Sequence, residues 1–230
     1  MDCKVTDIDW GVKVIYEDNH LIVAIKPAGV LSQSDGSKDP DMLTILKAYI
    51  KEKYQKPGEV YLGLVHRLDR PVSGVMVFAR TSKAASRLSE QIRTNKVDKI
   101  YRCVVQGVLE GSGRLENYIC KDESRNTVTI SDVEKPGFKH CFLDYKAIES
   151  KEGLTLAEVK LGTGRPHQIR AQMSHSGHPL LGDQKYGKKD NKCRDVALQA
   201  FRLSFEHPVK RENISFEAPF PVDYPWSLFA

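Results

Sequence analysis

The stretch "HRLDRPVSG", His66–Gly74, sets one carboxylate, Asp69, among two guanidinium groups, Arg67 and Arg70, and one imidazole, His66. Nearby cations favour the charged form of a carboxylate. The ordinary alternative is a surface ion-pair cluster, which contributes little to stability. A glycoside hydrolase also works through carboxylates at an anomeric carbon, but it needs a second one across the scissile bond, and the neighbours of Asp69 are cations. No serine or cysteine nucleophile is clearly paired with a histidine.

A second stretch with chemical capacity is "LGTGRPHQIRAQMSHSGHPLLGDQKYG", Leu161–Gly187. Pro166 suits the first turn of a short helix that ends at Gly177, which puts Gly162, Gly164 and Arg165 at the helix N-terminus. That end favours an anion, either a nucleic-acid phosphate or the Asp69 carboxylate. The "GTG" itself lacks the third glycine of a dinucleotide loop and the lysine and hydroxyl of a P-loop, so alone it reads as a tight turn. His167, His175 and His178 invite a metal reading with Asp183 as a further ligand. Hydrogen-bonding or packing roles suit them better, because a zinc site wants more ligands at fitting geometry.

The elements that present these groups follow from periodicity. "VKVIYEDNHLIVAIKPAG" reads as two short strands around a turn at Glu17–His20, closed by Pro27 and Gly29. The spacing of Leu43, Leu46, Ile50 and Tyr54 behind the cap Asp41 predicts an amphipathic helix. In "VYLGLVHRLDRPVSGVMVFAR" an apolar strand, the aspartate loop and a second strand, "VMVFA", succeed one another, so Asp69 belongs to a loop or strand end. A helix over Ser82–Arg93 turns Ala84, Ala85, Leu88 and Ile92 inward. Strands are predicted at "KIYRCVVQGVL", "FLDYKAI", "LTLAEVKL" and "ALQAFRLSF", and residues 110–140 as irregular hairpins and loops. Short helices interrupting many strands indicate an α+β fold in one domain.

At 230 residues and 26.0 kDa, with 40% hydrophobic residues, the chain has material for a proper core. No apolar run approaches the length of a membrane span, and the first residues lack a signal peptide's basic flank and apolar core, so the expectation is a soluble, cytoplasmic protein. The five cysteines include no CxxC pair, which points to neither a disulfide framework nor a cysteine zinc site. The net charge of +5 is unevenly spread. Arg80–Arg102 holds seven basic and two acidic residues, and "KYGKKDNKCR", Lys185–Arg194, forms a second basic stretch. Clustering of this kind suits phosphates, although a solvated face explains it too.

"LVHRLDRPVSGVMVFART", "KIYRCVVQG" and the Gly162–Gly187 stretch, with "IYEDNHLIVAIKPAGV" and "ALQAFRLSFEHP", resemble the RluA-type pseudouridine synthases over about the whole chain. The resemblance implies a pseudouridine synthase fold: a mixed, mainly antiparallel sheet with flanking helices and a basic active-site cleft. It implies isomerisation of uridine in rRNA or tRNA, with Asp69 as the catalytic carboxylate, Tyr101 stacked on the uracil and Arg165 paired with Asp69. Nucleophilic and glycal-type routes both remain open. Arg67 would occupy the space of the flipped base, which must leave its stack before its glycosidic bond is reached. His66, Arg70, Lys83, Lys99, Arg87, Arg170 and Lys185 would contact RNA. No cofactor or metal is implied, and a monomer without the small RNA-binding domain that precedes many relatives' catalytic domain is expected. Recognition would then rest on the loops at 32–41 and 185–194. Two departures stand out: Val72 where the family usually has threonine, and Gln172 where a histidine commonly follows "QIR". A non-catalytic RNA-binding module is the competing reading, and it predicts that binding survives Asp69→Asn.

Overall fold

The computed structural model describes residues 5–187, 193 and 195–230. In chain order the elements are β1 (Thr6–Asp7), β2 (Lys13–Glu17), β3 (Leu21–Lys26), α1 (Met42–Lys53), β4 (Gly63–Leu64), β5 (Ser73–Ala79) and α2 (Ser82–Arg93). They continue with β6 (Asp98–Gln106), β7 (Ser112–Asp122), β8 (Thr127–Ser131), β9 (Lys139–Lys151), β10 (Leu154–Leu161), α3 (Gln168–His175), β11 (Leu198–Glu206) and β12 (Asn213–Glu217). Two short 3-10 turns, Asp9–Gly11 and Trp226–Phe229, complete the set. The α+β class expected from the sequence is what the chain adopts. The chain divides into two compact units, residues 1–98 with 202–218 and residues 99–201 with 219–230.

In the first unit the strands run in the order β1-β2-β3-β5-β11, with β4 on β5 and β12 on β11. The pairs β1/β2, β2/β3, β3/β5, β4/β5 and β11/β12 are antiparallel. The turn read at Glu17–His20 is an Asp-capped turn: Asp18 Oδ1 accepts the amides of His20 and Leu21, both at 2.8 Å. The core is Leu21, Val23, Val75, Val77 and Ala79 from the strands, with Ala84 and Leu88 from α2 and Leu203 and Phe205 from β11. Helix α2 has the predicted bounds, and its cap Thr81 accepts the Ala84 amide at 3.2 Å.

Helix α1 is capped by Asp41 as predicted, yet it buries Met42, Ile45, Leu46 and Ile50. Leu43 is only part-buried, and Tyr54 lies beyond the helix end, exposed. Its ring packs under the Arg80 guanidinium at 4.6 Å, a contact that keeps an aromatic at the surface. The inward stripe is thus turned by about one position from the predicted one.

In the second unit the order is β6-β10-β9-β7-β8, with antiparallel pairs β6/β10, β9/β10, β7/β9 and β7/β8. The irregular region expected at 110–140 is mostly one long hairpin, because β7 and β8 pair from Tyr118↔Ser131 to Asp122↔Thr127. Ile119, Val128, Cys141 and Ala171 form the core between these strands and α3. Helix α3 begins at Gln168, two residues after Pro166, because His167 takes a left-handed conformation (φ 51°) that breaks the turn. It stops as predicted: Gly177 follows the helix at φ 87°, a conformation glycine adopts freely. Among the described residues no helix is long and apolar enough to cross a membrane.

Candidate active-site loops

The loop carrying Asp69 is held through its backbone. Strand β4 ends after Leu64, and the His66 side chain continues its ladder: Nε2 accepts the Val77 amide of β5 at 3.0 Å. That bond assigns a neutral ring's proton to Nδ1 and gives His66 a structural duty besides the expected RNA contact. Leu68 is buried, and one hydroxyl serves both of its peptide groups. Ser32 Oγ accepts the Leu68 amide at 3.0 Å and donates to the Leu68 carbonyl at 2.7 Å. Past Asp69 the chain turns at once, with the Val72 amide donating to the Asp69 carbonyl at 3.0 Å. Val72 is itself buried, so the departure from threonine puts a methyl in place of a hydroxyl inside the core.

Beneath this turn lies Lys26, wholly buried at 0% exposure. Its Nζ donates to the carbonyls of Val30 at 2.6 Å, Pro27 at 2.9 Å and Arg70 at 3.0 Å. An ammonium group removed from water needs such acceptors, and here they tie the Pro27–Val30 segment to the residue after Asp69. The Gly29 amide adds a bond to the Arg70 carbonyl at 2.9 Å, and Arg70 Nε returns one to the Gly29 carbonyl at 3.0 Å. Arg70 also pairs with Asp39 at 2.8 Å, so much of its guanidinium serves the loop. Arg67 and Lys83 are exposed, while Arg87 donates to the Pro208 carbonyl at 2.5 Å.

Tyr101, Lys99 and Arg165 belong to the second unit. Tyr101 sits in β6 opposite Val159 of β10, and Lys99, two residues earlier, is on the same face. Lys99 Nζ lies 3.6 Å from where a Cβ on Gly164 would stand, which brings it to the loop of Arg165. Burial pulls its ammonium pKa below the usual lysine value. Arg165 is exposed; its Nε donates to the His140 carbonyl at 3.2 Å and its amide to Gln168 Oε1 at 3.0 Å. Gly162 is required for packing, since a Cβ there would stand 1.9 Å from the Phe142 ring.

Arg170 corrects the expectation. It is buried at 5% exposure and forms a fork on Asp183, Nε to Oδ2 at 2.7 Å and Nη2 to Oδ1 at 2.8 Å. Its charge is spent on that carboxylate, so it cannot serve as the phosphate contact expected of it. Burial pushes the Asp183 carboxyl upward, but Arg170 and the amides of Lys185 and Tyr186 outweigh this and leave it below the ordinary aspartate value. Asp183, the candidate metal ligand, is therefore the anchor of the "GDQKYG" turn.

Each candidate metal histidine has another partner: His167 Nδ1 with Tyr186 OH at 2.7 Å, His175 Nε2 with Asp132 at 2.9 Å, and His178 Nδ1 with the Gln106 carbonyl at 3.3 Å. Lys185 is exposed and donates to the Asn126 carbonyl at 2.6 Å. The rest of the basic stretch, residues 188–192 and 194, lies outside the described residues. Sequence reasoning missed Lys26, Ser32 and Gln168. The one signal for Lys26 was a lysine closing the apolar run "LIVAIK" directly before Pro27.

A model of the family described as RNA pseudouridylate synthase matches residues 20–175. The chain belongs to that family. A ribosomal large subunit pseudouridine synthase D of Neisseria meningitidis serogroup A is 38% identical over 93% of this chain. The chain spans 59% of that relative's length. The enzyme of the same name from Pseudomonas aeruginosa is 33% identical over 96% of this chain and 72% of its own. Among solved structures, human RNA Pseudouridylate Synthase Domain Containing 4 superposes with a TM-score of 0.78 at 22% identity, covering 94% of this chain and 91% of its own, which shows the shared pseudouridine synthase fold. Asp69, Tyr101 and Arg165 fall within the matched family segment, as do Lys26 and Gln168; Lys185 lies beyond it.

Proposed function

We propose that this chain converts specific uridines of structured RNA into pseudouridine, within one catalytic domain that holds Asp69, Tyr101 and Arg165. The observation that carries the reading is the Asp69 loop: a carboxylate on a tight turn inside the matched family segment, its flanking peptides fixed by Lys26 and Ser32. Preorganisation of that kind is what a single catalytic carboxylate requires.

The reaction is balanced without any second reactant. The N1–C1′ bond breaks, the uracil turns, C5 bonds to C1′, and the proton lost from C5 is matched by one gained at N1. Asp69 assists departure of the uracil and engages the sugar; Tyr101 stacks on the base and takes part in proton transfer; Arg165 pairs with Asp69. Arg67 fills the place of the flipped base. Lys83, Lys99 and Lys185, with what remains of His66, Arg70 and Arg87 beyond their structural bonds, hold phosphates in a basic cleft. Binding then weakens as salt rises. The relatives named for the large ribosomal subunit make its RNA the first substrate to examine, with tRNA stem-loops second.

The test is pseudouridine mapping of RNA from cells lacking this protein, complemented with the native chain or Asp69→Asn. Loss of a defined site that only the native chain restores is the expected result. Persistence of every pseudouridine in RNA that the chain demonstrably binds would support the non-catalytic binding module instead.

A further inference from the structure

Behind the loop of Arg165 runs a chain of buried amides. Gln168 and Gln172 are 3% and 1% exposed, and Asn117 is 9% exposed. Gln168 Oε1 accepts the Thr163 hydroxyl at 2.8 Å and the Arg165 amide at 3.0 Å. With its oxygen so occupied, its Nε2 donates to the Phe142 carbonyl at 2.9 Å and to Gln172 Oε1 at 3.0 Å. Gln172 Nε2 then donates to Asn117 Oδ1 at 2.8 Å and the Leu115 carbonyl at 3.1 Å, and Asn117 Nδ2 to Asp132 Oδ1 at 2.8 Å.

Each amide has its direction fixed by the one before. Flipping any of the three would set oxygen against oxygen and nitrogen against nitrogen, at Gln168 and Gln172 inside the core. The relay therefore has one polarity, its donors running from the backbone N–H of Arg165 to the Asp132 carboxylate at the surface. At that end Arg165 is held twice, by its amide on Gln168 and by its Nε on the His140 carbonyl. Gln172 matters because its amide serves three partners at once, whereas an imidazole offers two ring nitrogens.

We infer that Gln168 and Gln172 are positioning residues for Arg165, acting through this buried relay and touching no substrate themselves. The inference rests on the proposed function for its catalytic consequence and on geometry alone for its structural one, so it is tested by two readouts. In the RNA-free chain, hydrogen exchange of the Arg165 amide is compared between native protein and Gln168→Met, with protection expected to fall at least about 10-fold. In single-turnover assays on the mapped RNA, Gln168→Met is expected to lower the rate constant about 10-fold with the half-saturating concentration held within about twofold. In an Arg165→Ala background the same substitution should cost less than about twofold, because the group it positions is gone.

Gln172→Met, one link further away, should act in the same direction at about threefold, and it carries the test if Gln168→Met does not fold. Unchanged Arg165 protection, or equal losses with and without Arg165, overturns the inference. A native chain that forms no pseudouridine overturns the proposed function instead, and the exchange readout, which needs no RNA, still reports on the relay.

Discussion

The two candidate loops are fixed by opposite means. Around Asp69 the ties run to backbone: Lys26 Nζ to three carbonyls, Ser32 Oγ to both peptide groups of Leu68, and His66 Nε2 to the Val77 amide. Around Arg165 they run through side chains: the Gln168–Gln172–Asn117 relay, and the Arg170–Asp183 fork that anchors the turn after α3. A loop held by its backbone tolerates change in its neighbours' chemistry as long as one clamp residue stays. A loop held through side chains depends on each partner keeping both its shape and its donor–acceptor sense.

The largest expected effect comes from the fork. Removing one member of a buried ion pair strands the other, so Asp183→Asn or Arg170→Met should cost about 3–5 kcal/mol. Thermal unfolding would show a fall of about 2–4 °C per kcal/mol lost. The fork also gives the second unit an acid dependence. Because the folded-state pKa of Asp183 lies below its ordinary value of 3.8, its contribution is fully present above that value and fades as pH falls through the lower folded one. Acid titration of native protein against Asp183→Asn should show that difference narrowing below about pH 4. A constant difference at every pH would remove the carboxylate from the account.

Next in size is Lys26→Met, which keeps the apolar stem and deletes the ammonium. Three carbonyls, that of Val30 buried and those of Pro27 and Arg70 part-buried, lose a charged donor, at a cost of about 3 kcal/mol. Amide exchange at Gly29, whose N–H donates to the Arg70 carbonyl, is the direct check, with faster exchange expected; native protection there would mean that the loop does not depend on its lysine. The smallest effect is Lys83→Ala on the exposed face of α2, outside both clamps. Stability should stay within about 0.5 kcal/mol, while the salt dependence of RNA binding loses up to about one unit of slope. A wild-type slope would take Lys83 off the RNA path.

The same contrast explains how much was readable in advance. Helix α2 was legible in extent because its inward alanines and leucine recur at helical spacing, a local feature, although Ala85 and Ile92 are only part-buried and the cap Thr81 was not read. Helix α1 was legible in extent, but Tyr54 continued an apolar spacing past the helix end, and only the Arg80 contact shows why an aromatic stays outside. For α3, Pro166 suggested a start that the left-handed His167 postpones. Arg170 shared its charge with the residues expected to meet RNA, and nothing local distinguishes a guanidinium that faces phosphate from one that faces Asp183, thirteen residues on.

By itself the sequence determined the α+β class, the Asp41 cap of α1, the extent of α2 and, through the family resemblance, the motifs around Asp69, Tyr101 and Arg165. These rest on periodicity, turn chemistry and short patterns, all of which act between residues close along the chain. Only the tertiary structure decided that Lys26 is buried under the Asp69 turn, that Arg170 belongs to Asp183, and that two glutamines and an asparagine pass hydrogen bonds one way, from the Arg165 amide to Asp132. Those outcomes depend on which polar groups lose their water together, and that is settled when segments far apart in sequence, such as Lys26 and Arg70 or Asn117 and Gln172, close on one another.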